Sequence, residues 1–138
     1  MLQRKQTIWL LLAAVAAFLT MNFSFYSGNL SVNNQPVFQE LTARSNTFLL
    51  ILTVATGLLA LISVFLYKNR KLQLRLTLIA ILVSVVNIVL FFSEAKKYLQ
   101  GNYTLTCILV FVIPILLVLA SRGIYKDEKL IRNIDRLR

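Results

Sequence analysis

The residues of this chain whose types suit chemistry are few. The 138-residue sequence contains no histidine and a single cysteine, Cys107. Imidazole-activated serine or cysteine nucleophiles, imidazole metal sites and cysteine metal clusters all need residues that the sequence lacks. We therefore expect that the chain is not an enzyme, that it has no catalytic or metal-binding residues, and that it uses no cofactor.

The carboxylates lie away from the apolar parts of the chain. None of the five Asp and Glu residues falls inside the four long apolar runs described below. Proton relays, ion-coupled transport and paired-carboxylate catalysis need an ionisable group at such positions. This distribution strengthens the expectation of a non-enzymatic protein.

Small, uncharged polar side chains share one face of the third apolar run. Thr77, Ser84 and Asn87 fall on one face of a helix at 100° per residue, and Asn87 lies near the middle of its run. One interpretation is helix packing, because an Asn can hydrogen-bond to a neighbouring helix. The alternative is a small oligomeric transporter or channel whose path is lined by these three side chains.

Small residues on shared helix faces favour close packing, because they let backbones approach in lipid. Pro114 lies well inside an apolar run, where its missing N–H is expected to kink the helix. The residues that we predict to pack helices together are Ala13, Ala17, Thr53, Gly57, Ala60, Ser84, Asn87 and Pro114.

The chain ends in "SRGIYKDEKLIRNIDRLR", residues 121–138. On a helix, five apolar residues fall within an arc of about 140°, opposite most of the charges: Ile124, Leu130, Ile131, Ile134 and Leu137. Three interpretations stay open: an anchor that fixes orientation, a helix on anionic lipid headgroups, and a docking surface for a protein. The predicted contact residues are Arg122, Lys126, Asp127, Glu128, Arg132, Asp135, Arg136 and Arg138.

Composition predicts that lipid surrounds most of these elements. The chain is 58% hydrophobic and 14% charged, against about 45–50% and 25% in soluble domains. Runs at about 7–25, 47–67, 72–92 and 103–120 are long enough to cross a bilayer. Each is expected to be a helix, since a backbone in lipid must satisfy its own hydrogen bonds.

The predicted fold is therefore all-α, with four transmembrane helices in a compact antiparallel bundle. Residues 1–138 would form a single membrane domain, of which 121–138 is a cytoplasmic amphipathic tail. A cleaved signal peptide is the alternative for the first run, because "AVA" at 14–16 resembles a cleavage site. Only six apolar residues precede that site, so a retained span is favoured.

Basic residues predict the orientation of the spans. On alternating sides, the segments flanking the runs hold 12 Lys and Arg residues against 3. The positive-inside rule then places both termini in the cytoplasm. The net charge of +10 is expected to face anionic headgroups and not nucleic acid. The sequence leaves the oligomeric state open.

The connection between the first two runs is the largest segment on the other side. Pro36, Val37, Phe38 and Leu41 have a helix-like spacing that predicts a short turn on the bundle. A partner-binding loop and a plain solvated loop are both compatible with this composition.

Both ends of the chain resemble a known family. The opening "MLQRKQTIWLLLAA" and the closing "SRGIYKDEKLIRNIDRLR" are similar to the end motifs of small membrane proteins from Bacteroidota grouped as domain of unknown function 4293. The residues that carry the resemblance are Gln3, Arg4, Gln6, Thr7, Arg122, Lys126, Asp127, Glu128, Leu130, Arg132, Asp135, Arg136 and Arg138. The resemblance implies a four-helix inner-membrane protein and no particular activity.

The functional expectation follows from the tail. We expect a non-enzymatic accessory or scaffold subunit that contacts a protein partner through the tail, since mixed charges at helical spacing suit a protein surface.

Overall fold

The computed structural model describes residues 3–136, with side chains from residue 5 onward. Most of this part of the chain is helical. Its helices are α1 (Gln3–Leu19), α2 (Thr47–Phe65), α3 (Arg70–Ala95) and α4 (Ile108–Arg136), with short 3-10 helices at Ala43–Ser45 and Leu105–Cys107. Its strands are β1 (Tyr26–Val32), β2 (Gln35–Leu41) and β3 (Tyr98–Tyr103). The all-α prediction is therefore right for the larger part and misses a small sheet.

Each α-helix packs against two others. Helix α1 lies against α2 and α4, and α3 also lies against α2 and α4. Two hydrogen bonds show the directions of α2 and α3: Gln73 Nε2 donates to the Ser63 carbonyl at 2.8 Å, and Asn87 Nδ2 donates to Thr53 Oγ1 at 3.0 Å. The beginning of α3 thus faces the end of α2, and the two helices are antiparallel.

The helices bury small side chains and expose large apolar ones. Thr53 and Ala60 are 0% exposed, whereas Phe65 and Leu82 are 78% and 68% exposed. A water-soluble bundle has the opposite arrangement, because the hydrophobic effect drives large apolar side chains inward. Among the described residues, segments 47–65, 70–95 and 105–136 are long and apolar enough to cross a membrane, and 5–19 is a shorter apolar helix. These are features of a membrane protein.

The predicted bounds of the first and fourth runs need correction. Helix α1 begins at Gln3 and ends at Leu19, so residues 20–25 lead out of the helix instead of completing it. The fourth helix begins only at Ile108, because the residues before it form β3 and a 3-10 turn. The second and third runs agree with α2 and α3 to within a few residues.

The sheet joins two separate connections of the chain. Its strands are antiparallel in the order β2-β1-β3. Asn33 and Asn34 link β1 to β2 with φ of 52° and 61°, the left-handed conformations that a two-residue hairpin turn requires. Gly28 pairs with Gly101, and a Cβ on Gly28 would lie 2.3 Å from the Gln100 carbonyl oxygen. Only glycine permits this close approach of β1 and β3.

The predicted helical turn around Pro36 is wrong. Residues Gln35–Leu41 form β2, which is an edge strand of the sheet. Proline has no N–H to donate, so an edge strand tolerates it while an interior strand does not.

Aromatic packing attaches the sheet to the helices. Phe25 is 2% exposed, and its ring centroid lies 4.8 Å from that of Phe91 on α3. The backbone of Phe25 bonds to Leu41 on one side, at 2.7 Å, and to Thr104 on the other, at 3.2 Å. The sheet therefore covers one end of the helices, which we call the sheet end. The opposite end, with Gln6, the connection of α2 to α3 and residues 121–136, is the tail end.

Candidate functional site

The beginning of α1 and the last third of α4 meet at the tail end. Gln6 Nε2 donates a hydrogen bond to Asp127 Oδ2 at 2.5 Å, between residues 121 positions apart. The two side chains are only 8% and 6% exposed. Gly123 lies against the same glutamine, since a Cβ there would be 2.7 Å from Gln6 Cγ. We call Gln6, Gly123 and Asp127 the α1–α4 junction.

The junction fixes the direction of the tail. Ser121, Ile124 and Asp127 are all buried, and their spacing of three places them on one face of α4. Pro114 lies inside α4 without ending it, and the helix runs unbroken for 29 residues. At 1.5 Å per residue this is about 44 Å, longer than a hydrocarbon core of roughly 30 Å. The tail therefore continues the axis of α4.

Beyond the junction the tail is exposed. Leu130, Ile131 and Ile134 are 52%, 43% and 63% exposed, so three apolar side chains of the predicted stripe lack a cover from the described chain. The structure places the predicted contact residues as follows: Arg122, Lys126, Arg132, Asp135 and Arg136 are exposed, Glu128 is half-buried, Asp127 is buried, and Arg138 lies outside the described residues. Asp127 faces α1 and is thus turned away from any partner.

The connection of α2 to α3 lies beside the tail. Lys68, Arg70 and Lys71 line a cleft of about 270 Å³ together with Glu128 and Ile131 of α4. Within residues 5–136, the ion pair that the structure shows is Lys97 with Glu94, at 2.7 Å and at the sheet end. The cations of the tail end are therefore free of ion pairs in this part of the chain.

The predicted polar stripe lies between the helices. Asn87 is 4% exposed and bonds across to Thr53, while its Oδ1 is buried without a hydrogen-bond partner. Thr77 and Ser84 instead donate to carbonyls of their own helix, at 2.8 Å and 2.7 Å. Asn87 is thus the member of the stripe that connects two helices.

The other predicted packing residues also lie at helix contacts. Ala13, Ala17 and Ala60 are almost fully buried in one apolar cluster. Gly57 lies under the ring of Phe18, since a Cβ there would be 3.0 Å from Phe18 Cζ. Pro114 differs from these, because it lines a groove on the outer surface.

The sheet end holds residues that sequence reasoning missed. The ring of Phe25 also meets those of Phe92 and Tyr103, with centroids 5.5 Å and 5.8 Å apart. Burial raises the pKa of the nearby Tyr98 phenol, and the negative charge of Glu94 raises it further. The paired asparagines at 33 and 34 are the one local signal of this hairpin.

Potential metal ligands do not cluster among the described residues. No three His, Cys, Asp or Glu side chains within residues 3–136 come close enough together to hold a metal ion. The arrangement at the tail end is instead a helix that projects from the bundle, carrying both charged and apolar side chains.

Comparison with known families assigns the chain to one of them. The model of a family described as a domain of unknown function, DUF4293, matches residues 2–137. The chain belongs to this family. The resemblance first seen at the ends thus extends over nearly the entire sequence, and the Gln6–Asp127 hydrogen bond joins one residue from each end motif. No curated protein and no solved structure matches the chain.

Proposed function

We propose that this member of the DUF4293 family is a four-span, non-enzymatic protein of the bacterial inner membrane. It serves as an accessory or scaffold subunit and docks a protein partner through residues 128–136. The observation that carries the proposal is the exposure of Leu130, Ile131 and Ile134 on a helix held rigidly at its base. Exposed apolar side chains ringed by charges are typical of protein contact surfaces.

The proposal includes an orientation with both termini in the cytoplasm. Support comes from the distribution of charge, because the α2–α3 connection and the tail bring their Lys and Arg side chains to the same end. Anionic lipid headgroups would face this end and hold it there. Helix α1 would be the fourth span, somewhat shorter than the other three.

The docking role can be tested without disturbing the junction. Full-length protein, a variant with Ile131→Asn and Ile134→Asn, and a control Asn133→Ala would be purified in mild detergent. Asn133 is exposed and lies about 100° or more around the helix from both Ile131 and Ile134, so its substitution leaves these two side chains in place. We expect one protein to be recovered in fixed stoichiometry with the full chain and the control, and to be lost from the double variant.

The opposite result would reject docking through the tail. If all three preparations contain the same proteins in the same amounts, the exposed stripe recruits no partner. The tail would then serve as an anchor for orientation.

A transporter or channel remains the second candidate, and one observation favours it. The buried Asn87 Oδ1 has no hydrogen-bond partner in the described chain, and a permeating water or solute would supply one. The hydroxyls of Thr77 and Ser84 donate to carbonyls of their own helix. This argues against the candidate, because neither hydroxyl donates to a solute.

A further inference from the structure

A second surface feature lies on the outer face of α3 and α4. It is a groove of about 360 Å³ whose walls are almost entirely apolar. The groove runs along α4 from Pro114 to Arg122, with Ile81 and Val85 contributed by α3. Both helices are among the segments apolar enough to cross a membrane, so this groove faces lipid.

A single charged side chain closes the groove at the tail end. Arg122 is exposed, and no carboxylate of the described chain forms an ion pair with it. The remaining lining residues are aliphatic or proline: Ile81, Val85, Pro114, Ile115, Val118 and Leu119. An unpaired guanidinium at the end of an apolar groove is complementary to an anion that carries a hydrocarbon chain.

The groove is long enough to hold most of one acyl chain that lies along the helix. Eight residues separate Pro114 from Arg122 on α4, which corresponds to about 12 Å along the axis. Arg122 is one position from Gly123 of the α1–α4 junction, where the polar side chains Gln6 and Asp127 mark the border of the apolar region. A headgroup bound to Arg122 would therefore lie at the border, with its chain directed toward Pro114.

We propose that this groove is a binding site for one phospholipid of net negative charge. The lipid phosphate would bind the Arg122 guanidinium, and one acyl chain would occupy the groove between α3 and α4. The proposal requires that the chain is in a membrane, and it is independent of docking through the tail.

The test is native mass spectrometry of delipidated full-length protein titrated with phosphatidylglycerol or phosphatidylcholine of identical acyl chains. We expect one phosphatidylglycerol to bind more tightly than phosphatidylcholine. Arg122→Gln should reduce the preference for phosphatidylglycerol by about fivefold, the contribution of one cation near a bilayer surface. The control Arg132→Gln removes a charge farther along the tail, outside the groove, and should leave the preference unchanged.

A second pair of variants tests the apolar part of the site. Ile115 in the groove and Ile51 on α2 are both 58% exposed. Ile115→Trp should weaken binding of both lipids by filling the groove, while Ile51→Trp should have no effect. Equal affinity of the two lipids, an unchanged preference in Arg122→Gln, or an equal loss in Arg132→Gln would each overturn the proposal. Gel filtration of every variant shows whether it is folded.

Discussion

At the scale of single residues, buried polar contacts connect helices in an otherwise apolar interior, among them that of Gln73 Nε2 with the Ser63 carbonyl. Asn87 bonds to Thr53 between α3 and α2, and Gln6 bonds to Asp127 between α1 and α4. The remaining small polar side chains of the interior, such as Ser84 and Thr77, bond to their own helix. The interhelical contacts thus specify which faces of the helices pack together. The small residues alone do not determine this.

The first prediction concerns the Asn87–Thr53 contact. Asn87→Leu should destabilise the protein by about 0.6 to 1.7 kcal/mol, the range of interhelical hydrogen bonds in membranes. Ser84→Ala is the control and should have a smaller effect, because this hydroxyl bonds within its own helix. Thermal unfolding in detergent measures both. Unchanged stability of Asn87→Leu together with a lost solute flux in liposomes would instead support the pathway.

The second prediction concerns the α1–α4 junction. Asp127→Ala leaves the Gln6 amide buried without its acceptor, and this should cost about 1 to 3 kcal/mol of stability. Asp135→Ala removes an exposed carboxylate of the same helix and should have almost no effect. The comparison is made by chemical unfolding in detergent. If the two substitutions have the same effect, the junction does not hold α1 to the tail.

At the scale of elements, the sheet is built from two connections, the one between α1 and α2 and the one between α3 and α4. Strand β1 pairs with β2 across a two-residue turn and with β3, which comes from a different connection. The register of β1 with β3 depends on the Gly28–Gly101 contact, because a side chain there would meet the opposite backbone. The two connections of the sheet end therefore form one unit.

The third prediction tests the hairpin turn. Asn34 has a φ of 61°, which costs a residue with a branched side chain about 1 to 2 kcal/mol. Asn34→Val should therefore lower the stability of the hairpin by about this amount, while Asn34→Gly should be neutral or stabilising. Limited proteolysis of the segment from 26 to 41 reports the effect. Equal cleavage of both variants would argue against the left-handed turn.

At the scale of the whole molecule, the charged side chains lie mainly at the two ends of the helix bundle. The sheet end has an ordered cap with the Glu94–Lys97 ion pair, and the tail end has basic side chains without ion pairs in the described chain. Between the two ends, large apolar side chains cover the outside. This distribution is what a bilayer with headgroups on both sides would require.

The fourth prediction concerns topology. A fluorescent protein that matures only in the cytoplasm should be fluorescent when fused after residue 138. Alkaline phosphatase, which is active only outside the cytoplasm, should be active when inserted at the turn between Asn33 and Asn34. Loss of both signals would contradict the proposed orientation. One signal without the other would place the two sites on the same side and contradict the four-span topology.

The sequence alone determined most of the helices and their apolar character. Periodicity and hydropathy are local properties, so α2 and α3 could be predicted almost to their ends, and so could the burial of Ala60, Ser84 and Asn87. Family membership could also be predicted from the residue identities at the two ends, and the family model matches residues 2–137.

Only the tertiary structure decided the sheet and the α1–α4 junction. The pairing of Gly28 with Gly101 and the bond of Gln6 to Asp127 join residues 73 and 121 positions apart, and no local pattern encodes such a separation. Strand β3 lacks a hydrophobic alternation of its own and is ordered by pairing with β1. Local conformational preferences of the residues determine where the helices form. Long-range hydrogen bonds and packing determine how the connections and the tail are arranged.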